Sequence, residues 1–193
     1  MKITQILYYG GSREKVCRLG LSTLFLEVTD ILLATEILVL PKKQANGAGV
    51  LREAIDSSFE RNNESIPSAD DRWKKSASGD IDWVRRLKFN CSVVANIGVE
   101  IQVSGRSDLL AKDIIHIRNA LQSSRIDVGV IVVPSDAFEY FLTDRVANLT
   151  YARRYVEVEL KEAQEYPIIV IAIEHDGESS EPLPKKRTNL GKN

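Results

Sequence analysis

Apolar residues change their spacing along the chain, and each spacing predicts a different element of secondary structure. The run over 3–9 predicts a strand that ends at a pair of glycines, and the run over 36–40 predicts a second, short one. Apolar positions at helical spacing predict helices over 21–34 and about 50–61. Residues 62–79 are polar and contain proline and serine, which indicates an irregular surface segment.

The second half of the chain shows a different set of patterns. Three consecutive strands are predicted over 80–86, 88–95 and 98–103, with a turn at Asn96. A helix follows, because its apolar residues fall on one stripe: Leu110, Ile114, Ile117 and Leu121.

Two continuous apolar runs complete this half and bracket one more helix. Residues 128–133 and about 167–173 are typical of strands buried on both faces, and a helix is predicted over about 149–163. The order of elements predicts an α/β fold with a mixed central sheet flanked by helices. We expect one domain over 1–175, with an N-terminal part over 1–79 and a core over 80–175. Residues 176–193 are polar and predict a flexible tail.

Composition narrows the function classes without choosing one. The 193 residues are 44% hydrophobic and 27% charged, and their net charge is -1, so the chain as a whole is not a basic nucleic-acid binder. Cys17 and Cys91 lack metal-ligand spacing, which predicts free thiols in a reducing compartment and a cytoplasmic protein. The apolar stretch over 19–40 contains three carboxylates, so we expect a buried helix and strand and no membrane span. No glycine-rich phosphate loop follows a strand, and no organic cofactor is expected.

The segment 99–106 carries the chemistry. Strand alternation puts Glu100 and Gln102 on one face, and an isolated carboxylate there is costly to bury without a partner. With Asp82 from a neighbouring strand and the backbone carbonyl of Ile101, Glu100 forms an oxygen set suited to Mg²⁺. Asp80 is a rival for the aspartate position. On spacing alone the pattern is weak, since a solvated strand face gives the same alternation.

A family resemblance strengthens this interpretation. The chain resembles restriction endonucleases of the BglII and BamHI type, within the PD-(D/E)xK nuclease superfamily. The matching segments are IDWV at 81–84, VEIQ at 99–102, GR at 105–106, RIDVGVIVVP at 125–134, YPIIVIAIE at 166–174 and LREA at 51–54.

The resemblance implies a restriction-endonuclease-like core and a type II enzyme that cuts double-stranded DNA with Mg²⁺. It implies that Asp82, Glu100 and the Ile101 carbonyl hold the metal, while Gln102 positions the attacking water. A two-fold symmetric target also implies a homodimer. One departure concerns spacing, because Asp82 lies eighteen positions before Glu100, where the relatives have a tight hairpin. At the shorter spacing stands Cys91, a poor ligand for Mg²⁺.

Further candidates have both a functional and a structural interpretation. By resemblance, Glu53 is an outer ligand of the metal or a ligand of a second metal. Arg106 follows the predicted catalytic strand, where a basic residue can grip the scissile phosphate. Both are also ordinary surface residues. The segment with Thr143, Asp144, Arg145 and Asn148 is a candidate for DNA recognition or a simple connector. His116 is expected to be structural.

The displaced aspartate and the near-zero net charge keep an alternative function open. In that alternative the chain is a catalytically weak or inactive DNA-binding or assembly protein with the same fold.

Overall fold

A mixed five-stranded sheet forms the centre of the molecule. The computed structural model describes residues 1–143 and 145–184. The sheet has the order β1-β6-β5-β4-β3, in which β4, β5 and β6 are parallel and the two edge strands are antiparallel to their neighbours. Its strands are β1 (Lys2–Tyr8), β3 (Trp83–Phe89), β4 (Ser92–Ile101), β5 (Val128–Pro134) and β6 (Ile168–Glu174). The short strands β2 (Leu38–Val39) and β7 (Gly177–Glu178) pair separately.

Helices cover both faces of the central sheet. They are α1 (Ser12–Arg18), α2 (Ser22–Ala34), α3 (Ala48–Glu64), α4 (Asp108–Gln122), α5 (Asp136–Glu139) and α6 (Leu149–Arg154). Helices α2 and α3 bury their apolar stripes in one core, and α4 and α6 bury theirs in a second core. The predicted α/β fold with a mixed sheet and flanking helices is therefore confirmed. Within the described residues, no helix is long and apolar enough to cross a membrane.

The central strands follow from their composition. Every residue of β5 is buried, as expected for a parallel strand covered on both faces. Gly129 in β5 permits the close approach of α4, because a Cβ there would lie 2.3 Å from the Cγ2 atom of Ile117. The absence of a side chain at Gly129 therefore lets α4 pack close to the sheet.

The hairpin that precedes α4 differs from the prediction. Three strands were predicted over 80–103, but the structure has two long ones, β3 and β4. The chain reverses at Asn90 and Cys91, which both have positive φ angles, of 48° and 65°. Asn96, predicted as the turn, lies inside β4 and pairs with Arg86. The separation of Asp82 from Glu100 is thus the length of one hairpin.

The C-terminal part also differs in detail. The helix predicted over 149–163 divides, since α6 is continued by a π turn over Tyr155–Glu159 and a 3₁₀ turn over Lys161–Glu165. The first residues of the segment expected to be a tail are ordered, because β7 pairs with β2 and the Leu183 N–H donates to Asn46 at 3.1 Å. Residues 185–193 lie outside the described part of the chain.

Candidate metal centre

The β3–β4 hairpin brings Asp82 to the end of β4. Asp82 immediately precedes β3, and Trp83 pairs with Val99, so Asp82 lies opposite Glu100. The Asp82 Oδ2 atom accepts a hydrogen bond from the Ile101 N–H at 2.9 Å. The Asp82 carboxyl is close enough to Glu100 to raise the pKa of that residue. The two carboxylates singled out in the sequence therefore lie side by side at the open end of the hairpin, although the whole hairpin separates them along the chain.

Glu100 and Gln102 are buried on the same side of β4. Each is only 6% exposed, whereas Val99, Ile101 and Val103 pack into the core beneath α2 and α3. This is the alternation that the sequence predicts. The Gln102 side-chain amide donates to the carbonyl of Ser104 at 3.2 Å, which fixes its orientation beside Glu100.

Arg52 on α3 connects the members of the site. Its Nη1 atom donates to the Ile101 carbonyl at 2.8 Å, and its Nη2 atom contacts Asp82 Oδ1 at 2.5 Å. Its Nε atom donates to Asp56 at 2.9 Å. Asp56 is held in turn by the Trp83 indole N–H at 2.8 Å. No local pattern in the sequence of α3 indicates that Arg52 reaches the end of a strand.

Asp113 and His116 on α4 bring further donor atoms to Glu100. One ligand atom from each of these three side chains lies within 4.8 Å of the others. His116 was expected to be structural, and Asp113 was not singled out. The available signal was their i, i+3 spacing on the flank of the apolar stripe of α4, which places both on one side of the helix.

The carboxyl groups of the site disfavour one another's ionisation. Burial, together with the neighbouring Asp82 carboxyl, raises the pKa of Glu100 far above its usual range. Burial and the charge of Asp82 also raise the pKa of Asp113 to about 6. Burial alone would lower the pKa of Arg52, but Asp82 and Asp56 outweigh it and raise that pKa. Three carboxyl groups in one half-buried space thus disfavour their own ionisation unless positive charge is close.

Asp80, the rival to Asp82, makes a different set of contacts. Arg125 donates to both of its carboxylate oxygens, at 3.0 and 2.7 Å, and Ser76 donates at 3.0 Å. The hydrogen bond from Arg125 holds the pKa of Asp80 well below its usual range. This geometry gives Asp80 a role in fastening the segment before β3, and it favours Asp82 as the partner of Glu100.

Two further candidates lie at the surface around the site. Glu53 is exposed on α3, directly after Arg52. Arg106 is 80% exposed at its side chain and forms an ion pair with Asp108 at 3.0 Å. Gly105, before it, has a φ of 82°, a left-handed conformation that lets the chain turn from β4 into α4.

The four DNA-recognition candidates divide into structural and accessible residues. Thr143 is 8% exposed, and its hydroxyl faces the Ala48 N–H at 3.5 Å, so it joins the connector to α3. Asn148 caps α6 by accepting from the Tyr151 N–H at 3.0 Å. Arg145 is exposed and lines one surface pocket together with Arg106. Asp144 lies outside the described residues.

Comparison with known proteins agrees with this architecture. The family model described as restriction endonuclease BamHI matches residues 23–187. The match includes α3, the β3–β4 hairpin with the residues at its open end, and α4, and so covers Arg52, Asp82, Glu100, Asp113 and His116. No curated protein matches the chain.

Proposed function

The chain belongs to the BamHI restriction endonuclease family, and on that basis we propose that it is a magnesium-dependent, sequence-specific endonuclease. Its substrate is double-stranded DNA, and the reaction is hydrolysis of phosphodiester bonds. The observation that supports this proposal is that the β3–β4 register sets Asp82 opposite Glu100, while Asp82 and the Ile101 carbonyl bind the same guanidinium at the end of β4. These are hard oxygen donors, the type that Mg²⁺ prefers.

The donor set suits a cation on chemical grounds. The guanidinium of Arg52 already binds the Ile101 carbonyl and Asp82, so these oxygens are directed at a common position where positive charge is stabilised. Asp82, Glu100 and the Ile101 carbonyl would hold the metal. Bound Mg²⁺ would supply neutralisation of the charge that develops on phosphorus and activation of water. His116 adds a nitrogen donor, which Mg²⁺ favours less, so the oxygen set fits Mg²⁺ better.

The chain's own residues take the remaining roles in the proposal. Gln102, fixed by its hydrogen bond to Ser104, orients the attacking water beside the phosphate. Arg106 and Arg145 line one exposed pocket and are suited to grip DNA phosphates. Cutting both strands of a two-fold symmetric target calls for two such sites, and so for a homodimer.

Plasmid cleavage in Mg²⁺ tests the proposal directly. We compare the wild type with Glu100→Gln, which keeps the size of the side chain, and with Glu60→Gln as a matched control on the exposed face of α3. The wild type and the control should give discrete bands, and Glu100→Gln should give none. DNA affinity is measured in parallel by fluorescence anisotropy. Binding without cutting by the wild type, in Mg²⁺ and in Mn²⁺, would favour the inactive DNA-binding alternative.

A further inference from the structure

Arg52 and a divalent cation require the same oxygen atoms. We propose that the Arg52 guanidinium competes with the metal for the Ile101 carbonyl and Asp82, so that Arg52 must withdraw when the metal binds and thereby limits the metal affinity. This inference rests on the proposed function, and it assigns to Arg52 a role that the sequence pattern does not reveal.

The Arg52 guanidinium binds two oxygen atoms of the candidate site at once. One planar guanidinium spans the two oxygens, at 2.8 Å to the carbonyl and 2.5 Å to Asp82 Oδ1. A fork of this kind matches a pair of oxygens far better than a single contact does. The second oxygen of Asp82 accepts from the Ile101 N–H, so both oxygens of that carboxylate already accept hydrogen bonds from the chain.

The positive charge of Arg52 would repel a divalent cation bound to the same oxygens. A Mg²⁺ ion lies about 2.1 Å from each ligand oxygen, well inside the space that a hydrogen-bonded nitrogen fills. A guanidinium on the same oxygens would place a positive charge within about 4 Å of the dication, and the half-buried position weakens solvent screening. The two cations therefore exclude one another from this pair of oxygens.

Asp56 gives Arg52 an alternative partner. The ion pair between Arg52 Nε and Asp56 lies within α3 and does not involve β4. Arg52 can release the strand end and pair again with Asp56, since the guanidinium offers five N–H donors to that carboxylate. The side chain is 24% exposed, which leaves it room to move toward solvent. Withdrawal thus breaks the two hydrogen bonds to the strand end while Asp56 stays within reach of the charge.

Metal binding by the full chain without DNA tests the inference. Mn²⁺ alone is the probe, because it shares the oxygen preference of Mg²⁺ and its free ion is counted by electron paramagnetic resonance. We compare the wild type with Arg52→Ala and Arg52→Gln, the latter in case the smaller side chain impairs folding. Arg153→Ala is the charge-matched control, since Arg153 is exposed and pairs with Glu157 elsewhere on the surface. Thermal melting checks that each variant is folded.

The expected result is a gain in affinity on removal of the competitor. Arg52→Ala or Arg52→Gln should bind Mn²⁺ at least about tenfold more tightly than the wild type, the scale of one charge-assisted hydrogen bond. The control should stay within about twofold, as expected for a distant screened charge. Adding Glu100→Gln to Arg52→Gln should remove the gain, which assigns it to this site.

The contrary outcomes are distinct from one another. Equal or weaker Mn²⁺ binding by folded Arg52 variants would overturn the competition and show that Arg52 organises the site. The proposed function would still stand if the wild type bound Mn²⁺ and cut DNA. Absence of Mn²⁺ binding in every variant would overturn this inference and the metal-dependent function together.

Discussion

Substituting Gly129 by alanine tests how closely α4 must approach the sheet. The added Cβ would lie 2.3 Å from Ile117 Cγ2, whereas ordinary contacts begin near 3.4 Å, so the two elements must separate by about 1 Å. Ile117 is fully buried, and a β-branched residue in a helix has one preferred rotamer, so the methyl group cannot simply rotate away. Overpacking of this kind costs about 1–3 kcal/mol.

A double-mutant cycle in urea separates the clash from other effects of the substitution. Ile117→Ala removes the obstructing atoms and by itself should cost about 2–5 kcal/mol, because it leaves a cavity. In the double variant the new methyl group occupies part of that cavity. The double variant should then be no less stable than Ile117→Ala, with an unchanged dependence on urea. Because α4 carries Asp113 and His116, Gly129→Ala should also weaken Mn²⁺ binding, and the double variant should recover part of the loss.

Additive destabilisation would refute this reasoning. If the cost of Gly129→Ala persists in the Ile117→Ala background, the glycine is needed for some reason other than the approach of α4. The φ angle of Gly129 is not in the left-handed region, so backbone strain is not that reason. Unchanged stability of the single variant would likewise contradict the packing argument.

Two other predictions concern charges around the site. Burial alone would raise the pKa of Asp56, but hydrogen bonds from Arg52 and Trp83 outweigh it and hold that pKa below its ordinary value. The stability that the Asp56 carboxylate contributes is therefore complete above about pH 4 and is lost as the pH falls through its folded-state pKa. Asp56→Asn should lower the free energy of unfolding by about 1.5–3 kcal/mol near neutral pH. In urea titrations at lower pH, the difference in stability between this variant and the wild type should shrink. A difference that does not change with pH would contradict the assignment. Arg106→Ala and Arg145→Ala should each weaken DNA binding. Each should also reduce the magnitude of the slope of log affinity against log salt concentration by about 0.9, measured by fluorescence anisotropy. An unchanged slope would mean that the arginine does not contact a DNA phosphate.

The sequence was most informative where one pattern determines one structure. β5 and β6 were predicted nearly to their ends and α4 by its apolar stripe, because a continuous apolar run or a single apolar stripe has few alternatives. The turn of the hairpin was misplaced because Asn96, two positions before Gly98, is typical of a turn. The real reversal uses Cys91 in a left-handed conformation, which cysteine rarely adopts, so its residue type gave no signal.

The candidate site was only partly predictable for a related reason. Asp82, Glu100 and Gln102 belong to one hairpin, and strand alternation together with the family resemblance was enough to group them. Arg52 comes from α3 and Asp113 from α4, on opposite faces of the sheet. Contacts between elements far apart in sequence depend on tertiary packing, which a local sequence pattern does not predict. The LREA segment was matched, but its arginine received no role.

The composition of the site is itself an argument for function. Asp82, Glu100 and Asp113 place three carboxyl groups in a half-buried space, and burial together with their mutual repulsion makes that arrangement unfavourable for folding. Replacing buried charged groups by apolar residues is often neutral or stabilising, so stability alone does not explain why the carboxyl groups are there. In the proposed function a bound dication reverses the sign of these interactions, since Asp82 and Glu100 become its ligands and Asp113 lies beside them. The proposed competition also explains Arg52. Its positive charge stabilises the carboxylates while no metal is bound, and a dication that binds more strongly displaces it from Asp82 and the Ile101 carbonyl.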